Sequence, residues 1–211
     1  MSPHDEPLDS SADDTPATRT LLDGLARDPD GWRRLIRRAE SKLRVLLHFR
    51  MSPRLREVLD EDDLMQEVWT EAARKLASFE YRGPGSLQRW LAGILANKLR
   101  HAHRIAQRIG VPSSRLAPAS TALAAGSLEA LLASTQSSVS AHARKRELET
   151  RVRDVLRRLP EPEREAVLLK VFEGLNGREA AERLGVDEST VSVRFKRALE
   201  TCAIHLREFA P

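Results

Sequence analysis

Apolar positions recur along the chain at helical spacing, in blocks separated by turn residues. From 21 to 50 they fall at Leu21, Leu22 and Leu25, then at Trp32, Leu35, Ile36, Leu43, Leu46 and Leu47, with Asp28-Pro29-Asp30-Gly31 between. That pattern predicts two helices broken by a turn. The best-defined helix follows Asp60-Glu61-Asp62-Asp63, which supplies N-cap candidates and negative charge at a helix start; Leu64, Met65, Val68, Trp69, Ala72 and Leu76 share its inner face. Its outer face carries Asp63, Gln66, Glu67, Glu71, Arg74 and Lys75. The loop Phe79-Glu80-Tyr81-Arg82-Gly83-Pro84-Gly85 stops it, and Ser86 can cap a further helix with a stripe of Leu87, Trp90, Leu91, Ile94, Leu95 and Leu99.

Beyond Gly110 the text turns to Ala, Ser, Thr and Pro with scattered Leu, which reads as a linker with at most one short helix around 128–133. Helical spacing resumes at Leu148, Val152, Val155, Leu156 and Leu159, stops at Pro160-Glu161-Pro162, and restarts through Val167, Leu168, Val171 and Phe172 before Gly174. The fold expected is therefore all-α: two small helical domains joined by a flexible linker. The boundaries are an acidic disordered tail over 1–17, a first domain over 18–108, a linker over 109–143 and a second domain over 144–211. Composition agrees, with 41% hydrophobic but only 4% aromatic residues among the 211. Such a chain packs helices through aliphatic side chains.

The last block holds a sharper motif. Asn176 can cap a helix while Glu179 reaches back as in a capping box; Gly185 can take the left-handed turn, and a second helix starts near Glu188. Helix, glycine turn, helix is a helix-turn-helix layout. In its second helix Val191, Phe195, Ala198 and Leu199 share the inner face. Ser189, Ser192, Val193, Lys196 and Arg197 face outward, with Arg194 on the flank. Small hydroxyls at the helix start and cations further along suit an element lying in the DNA major groove. An ordinary helical hairpin with a solvated face produces the same caps and stripe.

Charge supports a polyanionic partner. The net charge is +4, but no Asp or Glu occurs between Glu80 and Glu129, while Arg82, Arg89, Lys98, Arg100, Arg104, Arg108 and Arg115 do. The polar, acidic start resembles neither a secretory signal nor a transit peptide, no apolar run reaches the ~20 residues that span a bilayer, and Cys202 is a single cysteine. These features predict a cytoplasmic protein without a membrane segment. No phosphate-binding glycine loop, nucleophile elbow or Cys-based metal pair occurs, and His101 and His103 diverge on a helix. No catalysis, cofactor or metal is expected.

Three stretches carry a family resemblance. Asp62-Asp63-Leu64-Met65-Gln66-Glu67-Val68-Trp69 resembles the polymerase-binding helix of extracytoplasmic-function (ECF) sigma factors. Ser86-Leu87-Gln88-Arg89-Trp90-Leu91 through Ile94-Leu95-Ala96-Asn97-Lys98-Leu99-Arg100 resembles their promoter-melting and −10 segment. Leu156 to Leu169, Ala180 to Val186 and Thr190-Val191 look like their −35-binding domain. The resemblance covers about 18–106 and 144–208.

It implies an RNA polymerase sigma factor that directs the core enzyme to promoters. Asp62, Asp63, Gln66 and Glu67 would meet the β′ clamp, where carboxylates can meet arginines, and the β flap would be a second contact of the core. Phe79, Tyr81, Arg82, Ser86, Arg89, Asn97, Lys98, Arg100, His101 and Arg104 would serve the −10 region, the loop cradling a flipped base and the cations contacting phosphates. Ser189, Thr190, Ser192, Val193, Arg194, Lys196 and Arg197 would serve the −35 region. Regulation would come from a separate anti-sigma protein or from controlled synthesis. The rival reading is a stand-alone helix-turn-helix regulator, which would bind duplex DNA alone, generally as a dimer.

Overall fold

The structure, a computed structural model, describes residues 31–108 and 139–207; the expected tail, the first predicted helix and most of the expected linker, with its short helix, lie outside them. Every regular element among the described residues is helical. Helix α1 spans Gly31–Arg50, α2 Pro53–Val58, α3 Glu61–Lys75 and α4 Ser86–Arg108. From residue 139 on come α5 (Val139–Arg158), α6 (Glu161–Val167), a π-helical turn (Leu168–Phe172), α7 (Gly177–Leu184) and α8 (Glu188–Arg207). Helix α5 begins ahead of the boundary expected at 144. Its first turns carry no large apolar stripe, so periodicity misses them.

Local chemistry sets the ends. The unexpected α2 is capped by Ser52, whose Oγ accepts from the Leu55 N–H at 3.3 Å, with Pro53 in the first turn where its missing N–H costs nothing. Asp60 caps α3 by accepting from the Asp62 N–H at 2.6 Å. Three acids in the first turn of α3 and Arg74 and Lys75 in the last complement its dipole. Leu168, Leu169, Val171 and Phe172 of the π turn are all buried; the wider turn lets four neighbouring side chains enter the core together.

The helices form the two expected groups, and the groups share one core. Helix α1 packs on α3 and α4 on one side and on α5 and the π turn on the other. Leu35, Leu43, Leu46 and Leu47 of α1, Leu91 and Leu95 of α4, and Leu156, Leu168 and Phe172 are essentially inaccessible within a single apolar cluster. A smaller cluster of Leu169, Leu175, Ala180, Ala181 and Val191 holds the helix-turn-helix together.

Candidate nucleic-acid and polymerase interface

The helix-turn-helix follows the sequence pattern closely. The Asn176 Oδ1 accepts from the Glu179 N–H at 2.9 Å while the Asn176 N–H donates to Glu179 Oε2 at 2.8 Å, completing a capping box. Gly185 closes α7 in the left-handed region at φ 64°, a conformation that penalises any side chain. Helix α8 then sets out with Val191, Phe195 and Ala198 buried. Ser189, Ser192, Val193, Lys196 and Arg197 are exposed, and Thr190 and Arg194 lie half-buried on the flanks. Val193, a large apolar residue, is 49% exposed on this otherwise polar face. Behind the helix the Lys170 ammonium lies 4.7 Å from the Phe195 ring centroid. Burial lowers its pKa, with Glu188 opposing.

On α4, Asn97, Arg100, His101 and Arg104 follow i, i+3, i+4, i+7 spacing, so they share one face, and all four are exposed. Arg100 donates to Asn97 Oδ1 at 2.5 Å and to the Ala96 carbonyl at 3.3 Å, which lays its guanidinium along the helix. Lys98 sits on the adjoining flank, 3.0 Å from Glu67 of α3. In the loop before α4, Phe79 packs tilted against Trp90 with centroids 5.0 Å apart. Arg82 pairs with Glu80 at 2.8 Å, the Ser86 Oγ accepts from the Arg82 N–H at 3.4 Å, and Tyr81 is half-buried. Phe79 is thus partly spent on packing, whereas Arg82 is solvent-facing.

Asp62, Asp63, Gln66 and Glu67 form an exposed edge of α3. Asp62 pairs with Arg44 and Glu67 with Lys98. Beside this edge an open groove of about 490 Å³ lies against α1, with Arg44, Met65, Gln66 and Trp69 among its lining. Sequence reasoning placed Met65 and Trp69 on the inner face; the groove brings them to the border of the acidic edge. One turn further along, Arg74 and Lys75 hold the Glu71 carboxyl down to about 2.

Arg89 is half-buried where the two helical groups meet. Its Nε and Nη2 donate to the Gly174 carbonyl at 3.0 and 2.6 Å, and its guanidinium lies 3.2 Å from Glu179. Arg50, Gln88 and Glu173, which sequence reasoning passed over, join it in tying the two helical groups together. No signal in the text marks them, because their partners lie more than 80 positions away. Among the described residues no group of His, Cys, Asp and Glu could hold a metal ion, and no helix is long and apolar enough to cross a membrane.

Two groups of helices, one ending in a capped helix-turn-helix with Lys196 and Arg197 on its outer face, place the fold in the helix-turn-helix class. Residues 149–202 match the family model described as Sigma-70, region 4. The chain is 33% identical over 142 residues to the ECF RNA polymerase sigma factor SigD of Mycobacterium bovis and of Mycobacterium tuberculosis. That match takes in 67% of this chain and 61% of those relatives. The chain is similar to ECF sigma factors across that span, and it covers less than two thirds of those relatives' length. A solved structure of CnrH in complex with the cytosolic domain of CnrY aligns over 92% of this chain and 99% of that one, at 22% identity and a TM-score of 0.42.

Proposed function

We propose that the chain is an RNA polymerase specificity subunit that acts by binding, without catalysis of its own. Residues 18–108 would engage core polymerase and the −10 region, 109–143 would be the linker, and 144–211 would grip the −35 region. The observation that carries this reading is the capped helix-turn-helix inside the Sigma-70 region 4 match, with Ser189, Ser192, Lys196 and Arg197 outward. Hydroxyls near the start of such a helix reach base edges, and cations further along reach guanines or phosphates.

The first half supports the same reading. The exposed edge of Asp63, Gln66 and Glu67 offers carboxylates and an amide to a basic helical partner, the role expected of the β′ clamp, with the β flap as a second contact. Asn97, Arg100, His101 and Arg104 form a stripe along which single-stranded DNA could run. The chain would work in the cytosol, regulated by a separate anti-sigma protein or by controlled synthesis. Run-off transcription tests the proposal: purified chain plus sigma-free core polymerase on pooled genomic promoter fragments, with transcripts mapped at their 5′ ends. Discrete starts sharing two spaced upstream motifs are expected. Tight, polymerase-independent binding to duplex DNA without stimulated transcription would favour the stand-alone regulator.

A further inference from the structure

The outer face of α8 is polar except at one position in its middle. Among the described residues the large apolar side chains that stand exposed are Val58, Ile105, Val193 and Ile204. Val58 is the last residue of α2, and Ile105 and Ile204 lie in the last turns of α4 and α8. Val193 differs, being the sixth residue of α8 with helix on both sides. It is 49% exposed, four residues after Ser189 and four before Arg197, so the three follow one another along one face, with Ser192 and Lys196 beside them. Glu188 and Glu200 bracket this face, and no acid falls between them. The stretch that a polyanion can approach therefore runs from Ser189 to Arg197, and Val193 is its midpoint. Valine is a weak helix former held to one rotamer in a helix. Exposed here, it gives up helix propensity without gaining packing, yet it presents two methyl groups already fixed in direction.

Building on the proposed reading of α8 as a recognition helix, we infer that Val193 is a specificity-determining residue that seats the C5 methyl of a thymine in the major groove of the upstream element. Its chemistry selects the base. An isopropyl group neither donates nor accepts a hydrogen bond, so it cannot read the polar edges of guanine, cytosine or adenine, and it gives nothing to a phosphate. The thymine methyl is the apolar group that unmodified DNA displays in that groove. The neighbouring hydroxyls of Ser189 and Ser192 can serve as donor or acceptor and so discriminate less. Position along the helix also limits where the thymine lies. Four residues rise about 6 Å, while successive base pairs are ~3.4 Å apart. The thymine, on either strand, thus falls within about two base pairs of the group that Arg197 reaches. Burying one methyl against a second apolar surface corresponds to roughly fourfold in affinity.

The test is a uracil scan with the full chain. The parent selects duplexes from a randomised pool, with sigma-free core polymerase and, in parallel, without it, so the scan proceeds whether the chain is a sigma factor or a stand-alone regulator. In the tightest-bound duplex each thymine is replaced singly by deoxyuridine, which lacks only the C5 methyl. Competition binding then compares the parent with Val193→Ala and Val193→Ile. At one thymine the uracil duplex should bind the parent roughly fourfold more weakly. Val193→Ile should keep a penalty of that order, and Val193→Ala should bind the two duplexes alike. Because the site is exposed and alanine is the better helix former, the Ala variant loses the methyl contact without losing the helix. A selected element in which no thymine is sensed, or a uracil penalty that survives unchanged in Val193→Ala, overturns the inference. Loss of core-polymerase affinity in Val193→Ala does so too, by assigning the side chain to a protein partner. Arg197→Ala separates the other failure: if it weakens duplex binding while no uracil is sensed, α8 reads DNA and Val193 does not, whereas if it leaves duplex binding intact, α8 is not the recognition helix.

Discussion

The capping box of α7 gives a prediction whose size can be worked from the geometry. Helix α7 has only eight residues, far fewer than a helix needs to persist alone. It therefore depends on its caps and on the small cluster around Leu175, Ala180 and Val191. Asn176→Ala deletes the acceptor 2.9 Å from the Glu179 N–H and leaves that donor to water, a loss of about 1 kcal/mol for an N-cap. Asn176→Ser retains an acceptor and should cost no more than a few tenths of that. Glu179→Gln keeps a group able to accept from the Asn176 N–H and loses only the charge facing Arg89. With the two side chains 41% and 35% exposed, that pair is worth less than about 0.5 kcal/mol. In urea denaturation at constant slope, Asn176→Ala should lower the midpoint by roughly 0.3–1 M, and the thermal midpoint by about 2–4 °C. Ser and Ala variants that fell equally, or an Ala variant indistinguishable from the parent, would refute the capping argument.

Two further predictions concern charge. Burial opposes ionisation of Glu40, but Lys145 and Arg44 outweigh it, and His48 with Arg153 and Arg56 outweigh the burial of Glu61, so both carboxyls titrate below their ordinary 4.5. A carboxyl depressed in the folded state stabilises it above the unfolded pKa and loses that contribution as pH falls through the folded value. The stability gap between the parent and a Glu40→Gln/Glu61→Gln variant should thus be full at pH 7 and shrink below pH ~4.5; a gap independent of pH would contradict the assignment. Glu173 is shifted upward, by burial first, and works in the opposite sense, which is why the difference between chains is the quantity to measure. Separately, Arg197→Ala should weaken upstream promoter binding and flatten its salt dependence by about one counterion while leaving core-polymerase affinity intact. An equal loss of polymerase affinity would remove Arg197 from the DNA face.

What could be read from the text was whatever is decided within a few residues. Asn176 with Glu179, Gly185 at positive φ, Asp60 ahead of an acidic first turn, and the buried positions of α8 all obey rules that span at most two helical turns. The short α2 escaped because six residues carry no period; its signals were Ser52 and Pro53. The shared core escaped for a different reason. Leu91 and Leu156 look like any inward-facing leucines, and nothing in their spacing says whether they line two cores or one. Arg50 closes an apolar helix and reads as a solvated C-terminal cation, yet it is buried against carboxylates 115 and 123 positions away. Long-range pairing of that kind is a property of docking surfaces, which leave no local signature.

The distribution of burial among these ion pairs determines which contacts a partner can displace. Glu67 with Lys98 and Asp62 with Arg44 each keep at least one exposed member, so screening holds each to at most about 1 kcal/mol, little against what a polymerase surface offers in return. The residues that resemble polymerase contacts are thus paired internally but cheaply. Arg50 differs: with both carboxylate partners largely shielded, parting it from them without rehydration would cost several kcal/mol. Parting the two helical groups would therefore require water to reach Glu165 and Glu173, whereas the acidic edge of α3 is already exposed.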